Sequence, residues 1–129
     1  YTLFHEASVN GLPVMRPVFF ADPKDPALRT EDDAFLIGDD LLVVPQVIPD
    51  RTREVIMPRE PGDWREIDLF RSEDADLPRL YQRRGSIIPL GPVQQHVGEK
   101  PFALTLLVAP DMAGHATGTL YDDAGEGLA

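Results

Sequence analysis

The stretch Phe35-Leu36-Ile37-Gly38-Asp39-Asp40-Leu41-Leu42-Val43-Val44-Pro45 constrains the fold of this chain more than any other. Two apolar runs flank a Gly-Asp-Asp turn, and the second run is continuous rather than alternating. Leu41 to Val44 therefore reads as a strand covered on both faces and bounded by Gly38 and Pro45. Glycine takes positive φ without steric cost, and aspartates suit tight connections, so Gly38-Asp39-Asp40 predicts a turn between two strands. Such a turn needs further strands on either side to form a sheet.

The rest of the chain offers them. Thirteen prolines in 129 residues are roughly twice the usual share of about 5% and favour short strands and loops over long helices. Only the first residues read as helix. Leu3, Phe4 and Ala7 fall at helical spacing between Tyr1 and Val9, and Asn10-Gly11 is the stop. Val14 to Phe20 reads as a buried strand, with Pro17 marking an end, a bulge or an irregularity, because proline has no ladder donor. Arg16 inside that apolar run is read as an arginine held by a buried carboxylate, with direct substrate contact as the alternative. Ala21 to Asp33 is a polar connection, with a short helical turn around Ala27-Leu28-Arg29.

Beyond Pro45 the pattern predicts a strand over Arg53 to Met57, stopped by Pro58 and Pro61-Gly62. Another covers Trp64 to Phe70, with either Trp64 or Ile67 and Leu69 pointing inward. Leu80 to Arg83 and Ser86 to Leu90 are separated by a bend at Arg84-Gly85, and Gly91 to Lys100 is a polar loop. Phe102 to Ala109 lies between Pro101 and Pro110 as a strand, and His115 to Tyr121 alternates as a last one. Strands recurring every ~10–15 residues with turn chemistry between them predict an antiparallel sandwich rather than βαβ units. The expected core includes Leu42, Val44, Ile87, Leu104, Leu106 and Val108.

Composition excludes several functions. A net charge of −10 argues against nucleic acid, since neutralising phosphates requires clustered Lys and Arg. That exclusion also disposes of Gly38-Asp39-Asp40 as a polymerase-like metal turn, for which three residues are a weak match. With no cysteine there is no disulfide and no thiolate metal site, and the redox compartment stays open. No apolar run approaches the ~20 residues of a membrane-spanning helix. The chain opens at Tyr1 within a helical pattern, with neither an initiator Met nor a signal-peptide pattern, which leaves room for upstream segments.

Chemistry-bearing motifs are equally scarce. Asp122-Asp123-Ala124-Gly125-Glu126 lacks the alternating ligands of an EF-hand loop and reads as a solvated turn. His5, His96 and His115 have no metal-ligand spacing. Ser8, Ser72 and Ser86 sit in no nucleophile elbow. No catalytic, substrate-binding or metal residue is assigned.

Three blocks in order carry a family resemblance: Leu12-Pro13-Val14-Met15-Arg16-Pro17-Val18-Phe19-Phe20, then Phe35 to Pro45, then Arg84-Gly85-Ser86-Ile87-Ile88-Pro89-Leu90-Gly91. Together they resemble glycoside hydrolase family 31, the α-glucosidase and α-xylosidase family. Leu120-Tyr121-Asp122-Asp123-Ala124-Gly125-Glu126 resembles that family's Tyr-x-Asp-Asp-Gly-Glu block, with Ala124 inserted before the glycine. The resemblance implies a retaining glycosidase built on a (β/α)₈ barrel followed by β-sandwich domains, working with two carboxylates roughly 5–5.5 Å apart and no cofactor or metal. The family's nucleophile block, Trp-x-Asp-Met-Asn-Glu, has no counterpart, since the only tryptophan begins Trp64-Arg65-Glu66-Ile67. Its acid/base and substrate-binding His segments are also missing.

The resemblance thus implies a mainly β fold, an antiparallel β-sandwich preceded by a helix and last strand of a (β/α)₈ barrel. Residues 1–33 would end the catalytic barrel, and 34–129 would form the proximal C-terminal sandwich. The expected partner is the upstream barrel of the same enzyme, with an α-linked glycoside as its substrate and no part for nucleic acid or membrane. This chain would close the barrel and brace it, and would be inactive alone. Without the barrel, Leu3, Phe4, Ala7 and the Val14 to Phe20 strand should lack their neighbours. The alternative is a free-standing carbohydrate-binding or structural sandwich, for which one Trp and three Tyr supply few exposed aromatics.

Overall fold

A computed structural model describes residues 1–46, 54–59, 63–72, 74, 76–92 and 103–123. Helix α1 (Thr2–Asn10) opens the chain and ends as its sequence predicts, with Gly11 in the left-handed region at φ 71 and its N–H bonded to the Ala7 carbonyl. Seven strands follow: β1 (Met15–Pro17), β2 (Phe35–Ile37), β3 (Leu41–Val44), β4 (Trp64–Ile67), β5 (Arg79–Arg83), β6 (Ser86–Leu90) and β7 (Thr105–Ala109). They form an antiparallel five-stranded sheet in the order β1-β2-β3-β5-β4 and a two-stranded sheet of β6 and β7. The chain is therefore mainly β with antiparallel sheets and one short helix, as expected.

The Gly-Asp-Asp turn does what its composition requires. β2 and β3 pair across it, with Leu36 opposite Leu42. Gly38 adopts φ +62, and a Cβ there would lie 2.6 Å from Leu3 Cδ2. Positive φ and close approach to α1 both favour glycine. Leu36 and Leu42 are fully buried, and with Val18, Leu28, Ala34 and Val44 they make the core; Trp64, Tyr81 and the Val55–Met57 segment pack around it.

Several expectations are corrected. The strand predicted over Val14 to Phe20 covers only Met15–Pro17; Pro17 ends the ladder, and Val18–Phe20 turns into a 3₁₀ helix. Within that run Val18 finds its neighbours in the chain's own core rather than facing outward. The helical turn near Leu28 is a 3₁₀ helix, Pro26–Thr30, capped by Asp25, whose carboxylate accepts the Ala27 N–H. Residues 54–57 form no strand, because the Ile56 N–H donates to the Glu31 carboxylate instead of a ladder; Arg53, Pro61 and Gly62 lie outside the described residues. β4 stops at Ile67, with Leu69 and Phe70 exposed, and Trp64 is the side chain that packs on the core.

At Arg84-Gly85 the bend is real, but its consequence differs from a hairpin. Gly85 has φ +80, and the chain leaves the large sheet there to pair β6 with β7. Buried Gln82 ties the two sheets together, its amide donating to the Ser86 and Leu107 carbonyls. β7 is shorter than expected, beginning at Thr105, with Phe102 outside the described residues. The side chains expected to be buried along it are not: Leu104, Leu106 and Val108 are 39%, 55% and 44% exposed. With only two strands in its sheet, one face of β7 has nothing packed over it among the described residues. Ile87 is half-buried. His115 to Tyr121 forms no strand, only a single parallel bridge from Thr117 to Ser86. A Cβ on Gly118 would lie 2.3 Å from the Ile87 carbonyl oxygen, so this segment crosses β6 at a distance that only glycine permits.

Candidate functional site

The residues singled out by the sequence assemble around α1 and the Gly-Asp-Asp turn. Arg16 on β1 is 2% exposed. Its Nε donates to the Pro13 carbonyl at 2.8 Å and one terminal nitrogen to Glu6 Oε2 at 3.0 Å, while the other pairs with Asp39. The carboxylate-held reading of Arg16 is the one observed, although the partners are themselves accessible, Asp39 being 61% exposed. Three of the five N–H donors of the guanidinium, one on each nitrogen, are engaged in these contacts. Next to it, Arg83 on β5 forks onto Asp40, with Nε and one terminal nitrogen at 2.8 and 2.6 Å from the same oxygen. The two turn aspartates are thus arginine clasps, one reaching β1 and α1, the other β5.

A second assembly joins the ends of the described chain. Tyr121 stacks on His5 with ring centroids 3.5 Å apart and planes 2° from parallel. Its N–H donates to Thr2 Oγ1 at 3.0 Å, and the Tyr1 hydroxyl donates to Asp123 Oδ2 at 2.5 Å. The hydrogen bond to Asp123 is the main reason that the Tyr1 phenol is pushed up to about 12. Tyr121 is also raised, by burial first and by Asp123 next, and Tyr81 by burial. Before them, Asp111 folds its loop by accepting the Ala113 and His115 N–H groups. These bonds, His115 foremost, hold its carboxyl below the usual range. His5 and His115 therefore act as a stacking surface and a loop contact; His96 and residues 124–126 lie outside the described residues.

For metal, the described residues bring together one group. Glu31, Asp32 and Asp33 each place a carboxylate oxygen within 4.8 Å of the others. Glu31 already accepts the Asp33 and Ile56 N–H groups, which makes it a loop brace. The sequence reading passed over this brace, whose one signal is the run of three consecutive acids.

Two surfaces stand out as places for contact. One is apolar: Phe4 and Val9 of α1, Met15 of β1, and the tilted Phe19–Phe20 pair are all exposed within the first twenty residues. The other is a cleft of about 710 Å³ between the Pro26–Thr30 helix, the 55–59 segment and β4, with Trp64 in its wall and Arg59, Asp63 and Arg84 among its lining. No motif announced the cleft, and the lone tryptophan was its only signal.

Comparison with known proteins decides what carries these surfaces. Residues 11–88 match the family model described as the glycosyl hydrolase family 31 C-terminal domain. The chain belongs to this family. Alpha-glucosidase 2 of Bacillus thermoamyloliquefaciens is 36% identical over 98% of the chain and 17% of its own length. The lysosomal alpha-glucosidase of Mus musculus is 32% identical over 100% of the chain and 17% of its own length. In three dimensions the chain is similar to the family 31 alpha-glucosidase of Bacteroides thetaiotaomicron, with a TM-score of 0.77, 44% identity, and 97% of this chain against 19% of that one. It is also similar to a family 31 dextranase of Flavobacterium johnsoniae, with a TM-score of 0.73, 30% identity, and coverage of 87% and 15%. This family 31 C-terminal domain thus spans less than a fifth of the length of these relatives, and three of the four are alpha-glucosidases.

Proposed function

We propose that this chain is the barrel-closing and bracing part of a retaining glycosidase that acts on α-linked glycosides, and that it contributes no catalytic carboxylate. The observation that carries the reading is the family 31 C-terminal match over residues 11–88, which includes β1 and the clasped turn. In this reading residues 1–33 end the catalytic (β/α)₈ barrel and 34–129 form the proximal sandwich. β1 is the seam, with one edge paired to β2 and the other edge unpaired among the described residues. The exposed Phe4, Val9, Met15, Phe19 and Phe20 side chains supply the apolar contact. Burying each large side chain stabilises the joint by roughly 1.5–3 kcal/mol.

Mechanistically, the chain's part is to hold position. Catalytic groups of a barrel enzyme sit at strand ends, where small misplacements are costly. The Arg16 clasp fixes β1 relative to α1 through Glu6 and relative to the β2–β3 turn through Asp39, so helix, strand and sandwich move as one body. The test compares aryl α-glucoside hydrolysis by the chain alone, by a barrel-bearing polypeptide lacking it, and by the two joined. Turnover is expected only in the joined protein. Turnover by the chain alone, abolished by changing one of its own carboxylates, overturns the reading. Full activity of the barrel without the chain favours the free-standing module instead.

A further inference from the structure

The cleft beside Trp64 has the chemistry of a sugar site. Its wall is apolar, made by Ile56, Met57 and Trp64, and its rim carries Arg59, Asp63 and Arg84. Among the described residues neither guanidinium has an ion-pair or hydrogen-bond partner, nor does the Asp63 carboxylate; Arg84 and Asp63 meet only through their main chains, N–H to carbonyl at 2.8 Å. Asp25 adds a second carboxylate, one oxygen of which caps the neighbouring 3₁₀ helix. Trp64 lines the cleft through atoms other than its indole N–H, which is shut from solvent and, among the described residues, lacks an acceptor.

Two unengaged arginines alone would indicate an anion. Here two aspartates, Asp25 and Asp63, line the same cleft, so the rim is close to neutral and rewards neither phosphate nor a cation. A neutral polyhydroxyl ligand fits better: carboxylates accept from hydroxyls, guanidinium groups donate to them, and the apolar wall takes the C–H face of a pyranose ring. The volume lies inside the usual range of about 300–1,000 Å³ for ligand sites. Position supports the same conclusion. β4 and β1 are opposite edges of the five-stranded sheet, so an occupant of the β1 side leaves the β4 wall open.

We infer that the Trp64 cleft, walled by Ile56 and Met57 and rimmed by Arg59, Asp63 and Arg84, binds a neutral α-glucan oligosaccharide. The choice of α-glucan rests on the proposed function; the cleft does not.

The single tryptophan of the chain makes the site its own reporter. Trp64 emission of the full chain is followed against maltoheptaose and isomaltotriose, two linkages of α-glucan, and against inorganic phosphate. A saturable change with either sugar and none with phosphate is expected. Asp63→Asn and Arg84→Gln, both at exposed positions, should weaken sugar binding about tenfold or more, the usual loss when a charge-assisted hydrogen bond is removed. Their circular dichroism should be unchanged. A response to phosphate alone makes this an anion site and overturns the inference. Silence toward all three titrants, in a chain whose cooperative thermal transition shows it folded, also overturns it. Where the chain folds only when joined to the barrel, sugar binding is read as the difference between that protein and its Trp64→Phe variant, and no difference is refutation. Sugar binding in a joined protein that hydrolyses no α-glucoside would overturn the proposed function and leave the cleft standing. An active α-glucosidase whose cleft ignores sugar would do the reverse.

Discussion

Leu42 and Leu106 are both leucines in strands, both expected inside from sequence, yet the structure separates them sharply. Leu42 is fully buried on the central strand β3, between Leu36 and Tyr81. Leu106 is 55% exposed on β7. Leucine to alanine removes three carbon groups, worth about 2.4 kcal/mol in transfer free energy at ~0.8 kcal/mol per group. At Leu42 the full amount is lost, and the surrounding core leaves a cavity, which raises the expected cost to about 3–4 kcal/mol. At Leu106 less than half of the side chain leaves water on folding and no cavity forms, so the cost is about 1 kcal/mol or less. Urea titrations of Leu42→Ala and Leu106→Ala, read at unchanged slope, measure the difference directly. The midpoint should fall far more for Leu42→Ala. Equal losses, or a larger loss at Leu106, would mean that β7 is covered and that the two-sheet arrangement is wrong.

Arg16→Met should destabilise the chain by about 1–3 kcal/mol, below the ~3–5 kcal/mol of a wholly buried pair because Asp39 and Glu6 can rehydrate. Arg16→Lys should recover little of that loss, since an ammonium cannot serve the Pro13 carbonyl, Glu6 and Asp39 from one plane; full recovery in a denaturant titration would show that charge alone matters. The raised phenols of Tyr1, Tyr81 and Tyr121 bind protons more tightly in the folded than in the unfolded chain. Their stabilisation is therefore complete below about pH 10 and is lost as pH rises through the raised folded values, which for Tyr1 means toward about 12. Tyrosinate absorbance should titrate above the ordinary value of 10.0 in the folded chain. Asp123→Asn should move Tyr1 and Tyr121 back but not Tyr81. Coincident titrations in buffer and in concentrated urea would contradict this.

What the sequence disclosed was local chemistry with one solution. Gly38 suits positive φ in a turn, Pro17 interrupts a ladder, Gly11 stops a helix, and a continuous Leu-Leu-Val-Val run reads as covered on both faces. Each of these is a constraint internal to a few residues. What stayed hidden depended on distant partners. Ile56 has the pattern of a strand residue, but its N–H belongs to Glu31, twenty-five positions earlier. Leu104, Leu106 and Val108 have the pattern of a core strand, but a side chain's hydrophobicity does not say whether a third strand exists to cover it. The cleft is the extreme case, since Arg59, Asp63 and Arg84 carry no spacing signal; Asp63 and Arg84 meet because β4 and β5 pair, and Arg59 joins them from the 55–59 segment.

The arrangement of the arginines explains why α1 and β1 belong mechanically with the sheet. Three elements meet at the β2–β3 turn: α1 through Glu6, β1 through Arg16, and β5 through Arg83. A turn held only by its own backbone would be free to tilt against the helix. Here Leu3 fills the space over Gly38, and a side chain at that position would have to displace the Leu3 methyls. On the same N-terminal part of α1, Thr2 and His5 are gripped by Tyr121. The helix is therefore pinned by two segments distant in sequence, the β2–β3 turn and Tyr121, although it also offers Phe4, 69% exposed, and none of its residues is fully buried. A helix of about two turns is marginal by itself. Held by polar clasps on one side and presenting an aromatic on the other, it is built to be oriented first and covered second.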